Sequence, residues 1–302
     1  MSQLNISVIT WDGNFRESFH TVDFFREQLF PQEEYEFIWV EYYSDVNPQL
    51  KERISLFKNA RIICLGGKGE WHAGKCLNEG IKQSRGKILV ICDGDIAVEP
   101  DFLDTVWGAH NPINNLVLYF RRWDEPENGH ELPIRLDHLQ RICQLWNPTN
   151  YGGCVTIRRE CIDYVHGYEE HPIFGGAGII SKELSTRLRN AGFPIMWHPT
   201  EKLYHPWHAS TLRGTHKIKR NQQSWVIRCR DFSVDYVASI EQAGLYLDSF
   251  TPKIEDLKSS IWSLWKKMKR LLRKTHQIFK KRECRFHVNR RKNACIIKKR
   301  SV

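Results

Sequence analysis

The first third of the chain alternates short apolar runs with amphipathic segments. Four runs rich in β-branched and aromatic residues have the length and character of buried strands. These runs span residues 5–10, 35–41, 61–65 and 87–92. Apolar residues at helical spacing predict three helices between them, which span residues 15–29, 47–58 and 74–83. Strands that alternate with helices predict an α/β fold with a mostly parallel central sheet flanked by helices.

The pattern is less regular in the second half of the chain. Residues 100–148 read as polar loops with interspersed proline and tryptophan, and a second ordered block follows at 152–192. Within that block, residues 181–190 predict a helix, and a short strand-like run follows at 194–197. Residues 217–248 have a helical pattern without a clear place in the fold.

Composition is that of a soluble globular protein, with 302 residues, 41% hydrophobic and 26% charged. The longest strictly apolar run, residues 88–92, is far shorter than the roughly 20 residues of a membrane span, so we expect no transmembrane helix. The first residues lack a basic and an apolar region, so we expect no secretory signal. Nine cysteines without a C-x-x-C pair indicate reduced thiols and a cytoplasmic location.

The net charge of +10 is unevenly distributed. Residues 253–302 hold 18 Lys and Arg against 3 Asp and Glu, while the remaining residues hold 27 against 32. From residue 261, apolar side chains recur at helical spacing with basic residues on the other face, a pattern typical of helices on anionic membranes. We therefore expect residues 261–285 to bind an anionic membrane surface; docking of this helix on the main body is the alternative. No nucleic-acid-binding motif accompanies the charge, so we expect no nucleic-acid partner.

Two carboxylates follow the fourth predicted strand directly, in the sequence Asp93-Gly94-Asp95. Ligands of parallel α/β sheets bind at the carboxyl ends of the strands. Residues two apart point to the same side, and two neighbouring carboxylates repel each other unless a cation or a proton neutralises one. A divalent cation bound by carboxylate and phosphate oxygens resolves this repulsion. An acidic turn without a ligand is the simpler alternative for an isolated D-x-D triplet.

The residues around this triplet resemble a known family. Residues 78–86 read N-x-G-x-x-x-S-x-G, and a strand and the D-x-D triplet follow. This arrangement resembles the core of GT-A fold glycosyltransferases of the family 2 type, in which Ala is usual where Ser84 stands. The resemblance spans roughly residues 4–215. It implies a GT-A fold and a metal-dependent, inverting transfer of a hexose from a nucleotide-diphosphate sugar, which we expect to be a UDP-sugar. The implied cofactor is Mn²⁺ or Mg²⁺. The implied acceptor is a hydroxyl of a glycan or lipid-linked intermediate in polysaccharide or glycoconjugate biosynthesis.

The resemblance also implies roles for individual residues. Residues after the first strand and an acid at the end of the second strand hold the nucleotide in this family, although that acid is usually Asp. The donor-binding residues implied here are Thr10, Asp12, Glu41, Asn78, Asp93 and Asp95. Metal ligands are expected from Asp93 and Asp95. His205 and His208 of the stretch Tyr204-His-Pro-Trp-His208 are expected to complete the metal site.

One departure from the family pattern concerns the general base. The family's E-D pair falls here on Ile180-Ser181, although the following E-L-x-x-R-L portion at 183–188 fits. Neither Ile nor Ser accepts a proton from an acceptor hydroxyl unaided. Glu183 and Glu170 are the candidate displaced bases. Alternatives are a mechanism without a conventional base, or a non-catalytic nucleotide-sugar-binding or scaffold protein. Ser181 also fits the N-cap of its helix.

These inferences divide the chain into three parts. Residues 1–215 form the expected GT-A catalytic domain, with a nucleotide-sugar-binding half at 1–98 and an acceptor-binding half at 99–215. A helical extension follows at 216–252, and a basic amphipathic tail ends the chain at 253–302. We expect the protein in the cytoplasm, on the inner face of the membrane.

Overall fold

A seven-stranded sheet forms the centre of the fold in a computed structural model that describes residues 4–176, 179–209, 221–224 and 226–227. In spatial order the strands run β3-β2-β1-β4-β6-β5-β7. Their bounds are Leu4–Asp12 for β1, Tyr35–Glu41 for β2, Ala60–Cys64 for β3, Gly86–Cys92 for β4, Val117–Asp124 for β5, Cys154–Arg158 for β6 and Ile195–His205 for β7.

Helices and apolar cores cover both faces of this sheet. The helices are His20–Arg26 for α1, Pro48–Ser55 for α2, Ala73–Gln83 for α3, Phe102–His110 for α4, Leu136–Ile142 for α5, Arg159–Tyr164 for α6 and Ile180–Asn190 for α7. Successive residues of a strand point to opposite faces, so Ile9 and Ile38 join one core while Val8 and Phe37 join the other. The α/β fold class with a mostly parallel sheet flanked by helices is confirmed.

The direction of the strands brings several segments to one edge of the sheet. β1 pairs in parallel with both β2 and β4, so the carboxyl ends of all three lie at the same edge. β6 is antiparallel to β4, and its first residue, Cys154, pairs with Cys92 at the end of β4. This pairing places Gly152 and Gly153 beside the turn that follows β4.

The first helix is shorter than its apolar pattern predicts. The predicted range was 15–29, whereas α1 spans only His20–Arg26. The late start is explained by the side chain of Asp12, which accepts hydrogen bonds from the backbone N–H groups of Gly13, Phe15 and Arg16. These bonds hold residues 13–16 in a turn, so the helix begins only after it.

The last strand is longer than predicted, because β7 pairs in parallel with β5 through two registers with an irregularity between Tyr119 and Arg121. Of the predicted helical extension, residues 221–224 and 226–227 are helical, and the rest lies outside the described residues. The basic tail at 253–302, including its proposed membrane-binding stretch, also lies outside them. Among the described helices, none has the length and apolar character that crossing a membrane requires.

Candidate active site

The Asp93-Gly94-Asp95 turn lies at the carboxyl end of β4, in the middle of the sheet. The backbone N–H of Asp93 donates to the carbonyl oxygen of Gly153 at 3.1 Å. A Cβ at position 94 would lie 2.7 Å from Arg16 Nε and 3.0 Å from Thr10 Oγ1. Only glycine therefore fits between the two acids, and the turn packs closely on Arg16.

Two histidines approach Asp95 from the end of β7. His205 Nε2 lies 3.7 Å from Asp95 Oδ1, and His208 Nε2 lies 3.5 Å from Asp95 Oδ2. One ligand atom from each of these three residues lies within 4.8 Å of the others. The structure thus brings together three of the four residues predicted to bind metal. Asp93 is outside this cluster, and its Oδ2 lies 4.0 Å from Arg122 Nη1 instead.

Cationic groups balance the carboxylates of the cluster. Arg16 Nη1 donates to Asp95 Oδ2 at 2.7 Å from a nearly buried position. Burial would raise the pKa of Asp95, but the charge of Arg16 and the nearby His205 and His208 together outweigh burial and hold that pKa well below its usual range. Burial and the neighbouring Asp95 raise the pKa of Asp93. Burial would lower the pKa of His205, but its 3.0 Å contact with Asp124 and the nearby carboxylate of Asp95 raise it to about 9.

The chemistry of the cluster fits a divalent cation. Oδ1 of Asp95 is buried and has no hydrogen-bond partner within the part of the chain that the structure describes. A buried carboxylate oxygen without a partner is costly unless something binds it. Imidazole nitrogens are ligands for transition metals, whereas Mg²⁺ prefers oxygen ligands and water. One carboxylate and two imidazoles therefore fit Mn²⁺ better than Mg²⁺.

Three predicted donor-binding residues lie at the carboxyl ends of β1 and β2, at the same edge of the sheet as the Asp93-Gly94-Asp95 turn. Thr10 is fully buried, and its hydroxyl has no hydrogen-bond partner among the described residues. The Asp12 carboxylate accepts the hydrogen bonds from the backbone of residues 13–16 that are described above. Glu41 pairs in register with Asp12 and accepts a hydrogen bond from Trp39 Nε1 at 3.0 Å. Burial, together with the charge of Asp12, raises the pKa of Glu41 to about 7.

Both polar atoms of the Asn78 side chain form hydrogen bonds within the protein. Its Nδ2 donates to Tyr168 O at 2.8 Å and to Glu170 Oε1 at 2.7 Å. Its Oδ1 accepts the backbone N–H of Tyr168 at 2.7 Å. Asn78 therefore joins α3 to the loop at 167–170, and its polar atoms are engaged within the protein. The same contact occupies one carboxylate oxygen of Glu170.

The beginning of α7 shows what replaces the family's E-D pair. The N-cap is Ile179, so Ser181 is inside the helix and the N-cap prediction is wrong. Ile180 belongs to the apolar core. A Cβ at Gly152 would lie 3.9 Å from Ser181 Oγ and 4.0 Å from Asp93 Oδ2. Ser181 thus lies close to the D-x-D turn, where it offers a hydroxyl and no carboxylate.

Glu183, the other candidate base, is placed away from solvent. Its side chain is 0% exposed, and its two oxygens accept hydrogen bonds from Arg187 Nε at 2.7 Å and Nη2 at 2.9 Å. Arg187 also donates to the carbonyl oxygens of Val165 and Gly167. An acceptor hydroxyl cannot reach this carboxylate in the observed arrangement. These contacts conflict with a role as general base and favour a structural ion pair.

Sequence reasoning missed three charged residues of the site: Arg16, Arg122 and Asp124. Asp124 Oδ1 contacts both His205 Nδ1 and Arg122 Nε at 3.0 Å. Asp124 is the last residue of β5. Its position as an acid at a strand end is the signal by which the sequence could have indicated it. Arg16 lies four residues after Asp12, and nothing in its local pattern indicates contact with Asp95.

Comparison with known sequences finds little. No protein-family model matches the chain. An uncharacterised protein of Sinorhizobium fredii is 28% identical over 158 residues, which cover 45% of this chain and 17% of that protein. The chain therefore matches only about a sixth of the length of this relative.

Comparison of the fold finds glycosyltransferases. GalNAc-T7, solved with UDP, GalNAc and Mn²⁺, superposes with a TM-score of 0.55 at 12% identity, over 74% of this chain and 48% of that one. Residues 1–349 of S. aureus TarS, solved with UDP-GlcNAc, give 0.56 at 15% identity, over 81% and 71%. The mannosyltransferase PcManGT of Pyrobaculum calidifontis, solved with GDP-Man and Mn²⁺, gives 0.51 at 14% identity, over 82% and 70%. The chain therefore has the GT-A glycosyltransferase fold.

Proposed function

We propose that this chain is a metal-dependent glycosyltransferase. It moves a sugar, which we expect to be a hexose, from a nucleotide-diphosphate donor to a hydroxyl of a glycan or lipid-linked acceptor. The observation that carries the proposal is the cluster of Asp95, His205 and His208, whose ligand atoms lie within 4.8 Å of one another. The cluster occupies the carboxyl edge of the sheet, where ligands of such folds bind.

The residues of the cluster have separate tasks in this proposal. Asp95, His205 and His208 would hold Mn²⁺, which when bound would offset the negative charge that develops on the departing diphosphate. Arg16 fixes one oxygen of Asp95 and leaves the other available. Asp93 and Arg122 lie 4.0 Å apart beside the cluster, and we expect them to contact the polar groups of the donor.

The donor nucleotide is proposed to bind over the ends of β1 and β2, near Thr10, Asp12 and Glu41. We expect a UDP-sugar, because the GalNAc-T7 and TarS structures of similar fold contain UDP or a UDP-sugar. PcManGT, of the same fold, contains GDP-Man, so a GDP-sugar is the natural competitor in any assay.

Inversion at the anomeric carbon is the stereochemistry that the family resemblance implies. Inversion needs a base to accept the proton of the acceptor hydroxyl. Glu170 is only half-buried, and it is the remaining candidate since Glu183 is enclosed by Arg187. A second function, a non-catalytic nucleotide-sugar-binding protein, is favoured by Ile180 and Ser181 in place of two acids.

A donor screen tests the proposal. UDP-, GDP- and dTDP-sugars would be incubated with Mn²⁺, and release of the free nucleotide would be measured for wild type, Asp95→Asn and the control Asp137→Asn. Asp137 is exposed on α5, where it pairs with Arg141. We expect slow release from one donor class, a loss of about 100-fold or more in Asp95→Asn, and no change in the control. Equal release by wild type and Asp95→Asn would refute the proposal. Tight nucleotide binding with no release would favour the second function.

We further propose that the protein acts at the cytoplasmic face of a membrane in polysaccharide or glycoconjugate biosynthesis. Free thiols support a reducing compartment, since all six cysteines of the described residues are unpaired. Attachment rests on the basic pattern at 261–285. Flotation with liposomes that contain anionic lipid, with and without residues 253–302, tests it: equal flotation of the shortened chain would contradict membrane attachment through the tail.

A further inference from the structure

The proposed mechanism does not use one buried carboxylate, which contacts the segment that carries His205 and His208. Glu125 follows β5, and its side chain is 0% exposed. Its Oε2 accepts hydrogen bonds from His130 Nδ1 at 2.7 Å and from the backbone N–H of Trp207 at 2.8 Å. Its Oε1 accepts from His138 Nε2 at 3.1 Å. Three donors therefore converge on one carboxylate.

Glu125 contacts the segment 205–208 at two points. Its backbone N–H donates to the carbonyl oxygen of His205 at 2.9 Å, and its carboxylate binds Trp207 N–H. Pro206 has no N–H, so Trp207 supplies the first backbone donor after His205. The rings of His130 and Trp207 are also close, with centroids 5.6 Å apart. The two contacts thus define the path of the chain between the two histidines.

His208 depends on this path more than His205 does. His205 is the last residue of β7, and its Nδ1 bonds to Asp124 at 3.0 Å. The His208 side chain is 53% exposed; it lies 3.5 Å from Asp95 and 3.3 Å from the neighbouring Ala209 carbonyl, and its ring meets that of His205 edge to face with centroids 5.2 Å apart. The distance between His208 and Asp95 is therefore set mainly by where the backbone of Trp207 is held.

We propose that Glu125 is a positioning residue for the metal site. Its carboxylate holds Trp207 so that His208 can bind metal together with Asp95 and His205. The inference rests on the proposed function, because it presupposes a metal at this cluster. A carboxylate suits the task because both of its oxygens accept hydrogen bonds, whereas a glutamine amide would turn an N–H group toward one of the three donors. Removing a group that orients a metal ligand by hydrogen bonding typically weakens metal affinity by about 10- to 100-fold.

The test is the affinity for Mn²⁺ alone, measured from the electron paramagnetic resonance signal of free Mn²⁺. We would compare wild type, Asp95→Asn, Glu125→Gln, His208→Ala and the double variant Glu125→Gln/His208→Ala at a temperature where each is folded. We expect about 10- to 100-fold weaker binding in Glu125→Gln, similar to His208→Ala. The double variant should lose little more than either single variant, because both changes remove the same ligand.

A matched control separates positioning from general destabilisation. Glu36 is also 0% exposed, and it accepts hydrogen bonds from Ser7, Arg61 and Arg85 at the amino end of β2, the other end of the sheet. Glu36→Gln should lower stability and leave the Mn²⁺ affinity within about twofold of wild type. Should Glu125→Gln fail to fold, His130→Ala removes one partner of the carboxylate. We expect it to weaken Mn²⁺ binding by about three- to tenfold, and wild-type affinity there would overturn the proposal.

The outcomes separate this inference from the proposed function. If His208→Ala weakens Mn²⁺ binding and Glu125→Gln leaves it at the wild-type value, the positioning role is overturned and the metal site stands. If neither Asp95→Asn nor His208→Ala weakens Mn²⁺ binding, the metal site itself is refuted, and the positioning role with it.

Discussion

Replacing Asn78 with alanine distinguishes a structural role from a donor-binding one. The change removes three hydrogen bonds to Tyr168 and Glu170. Tyr168 is only 1% exposed, so its backbone N–H and carbonyl would lose partners that water cannot easily replace. At about 1 kcal/mol net for each of the three bonds, the free energy of unfolding should fall by about 2–4 kcal/mol.

Urea unfolding followed by circular dichroism would measure this loss, and calorimetric titration with UDP and Mn²⁺ would measure nucleotide affinity. Gln83→Ala is the matched control, because Gln83 is an exposed residue of the same helix whose side-chain amide donates to Glu79 Oε1 at 2.6 Å. We expect it to change stability by less than about 0.5 kcal/mol. If Asn78→Ala has wild-type stability but loses nucleotide affinity tenfold or more, the structural account is refuted and the donor-binding prediction stands.

Three further predictions concern groups packed around the site. Gly94→Ala should lower stability by about 1–3 kcal/mol, because its Cβ would lie 2.7 Å from buried Arg16; unchanged urea unfolding would contradict the tight turn. Glu183→Ala should cost about 3–5 kcal/mol by removing the carboxylate that neutralises the buried charge of Arg187, whereas a catalytic base would show lost turnover at wild-type stability. The pKa of Glu41 is about 7 in the folded protein and about 4.5 in the unfolded chain. The folded state therefore binds the proton more tightly, and the wild type should lose stability as the pH rises from about 4.5 to about 7. Glu41→Gln should lack this loss, which is on the order of 3 kcal/mol; parallel pH profiles of urea unfolding would refute the raised pKa.

Strands β1, β2 and β4 of the parallel half of the sheet were predictable because they are largely buried on both faces. Residues 35–41 were predicted as a strand and are β2 without any shift, and β4 differs from its prediction by one residue. Such strands read as continuous apolar runs, which no amphipathic helix imitates. Strand β5 and helices α4 and α5 lie in the stretch at 100–148, where apolar periods are short and interrupted, and no specific element was predicted there.

The site was predictable where its residues follow strand ends and not where tertiary contact selects them. Asp95, His205 and His208 were identified from a motif and its order along the chain, and the structure brings them together. Arg16 reaches Asp95 because Gly94 leaves room for it, and Glu125 reaches Trp207 across the fold. Neither contact has a local signature, because both depend on how two separate segments pack.

The most direct test of the account is the affinity for UDP with and without Mn²⁺, measured by calorimetric titration. The account predicts that wild type binds UDP at least about tenfold more tightly with Mn²⁺ than with EDTA, and that Asp95→Asn abolishes this difference. Equal affinity of the wild-type protein with Mn²⁺ and with EDTA would contradict a metal-dependent donor site at Asp95, His205 and His208.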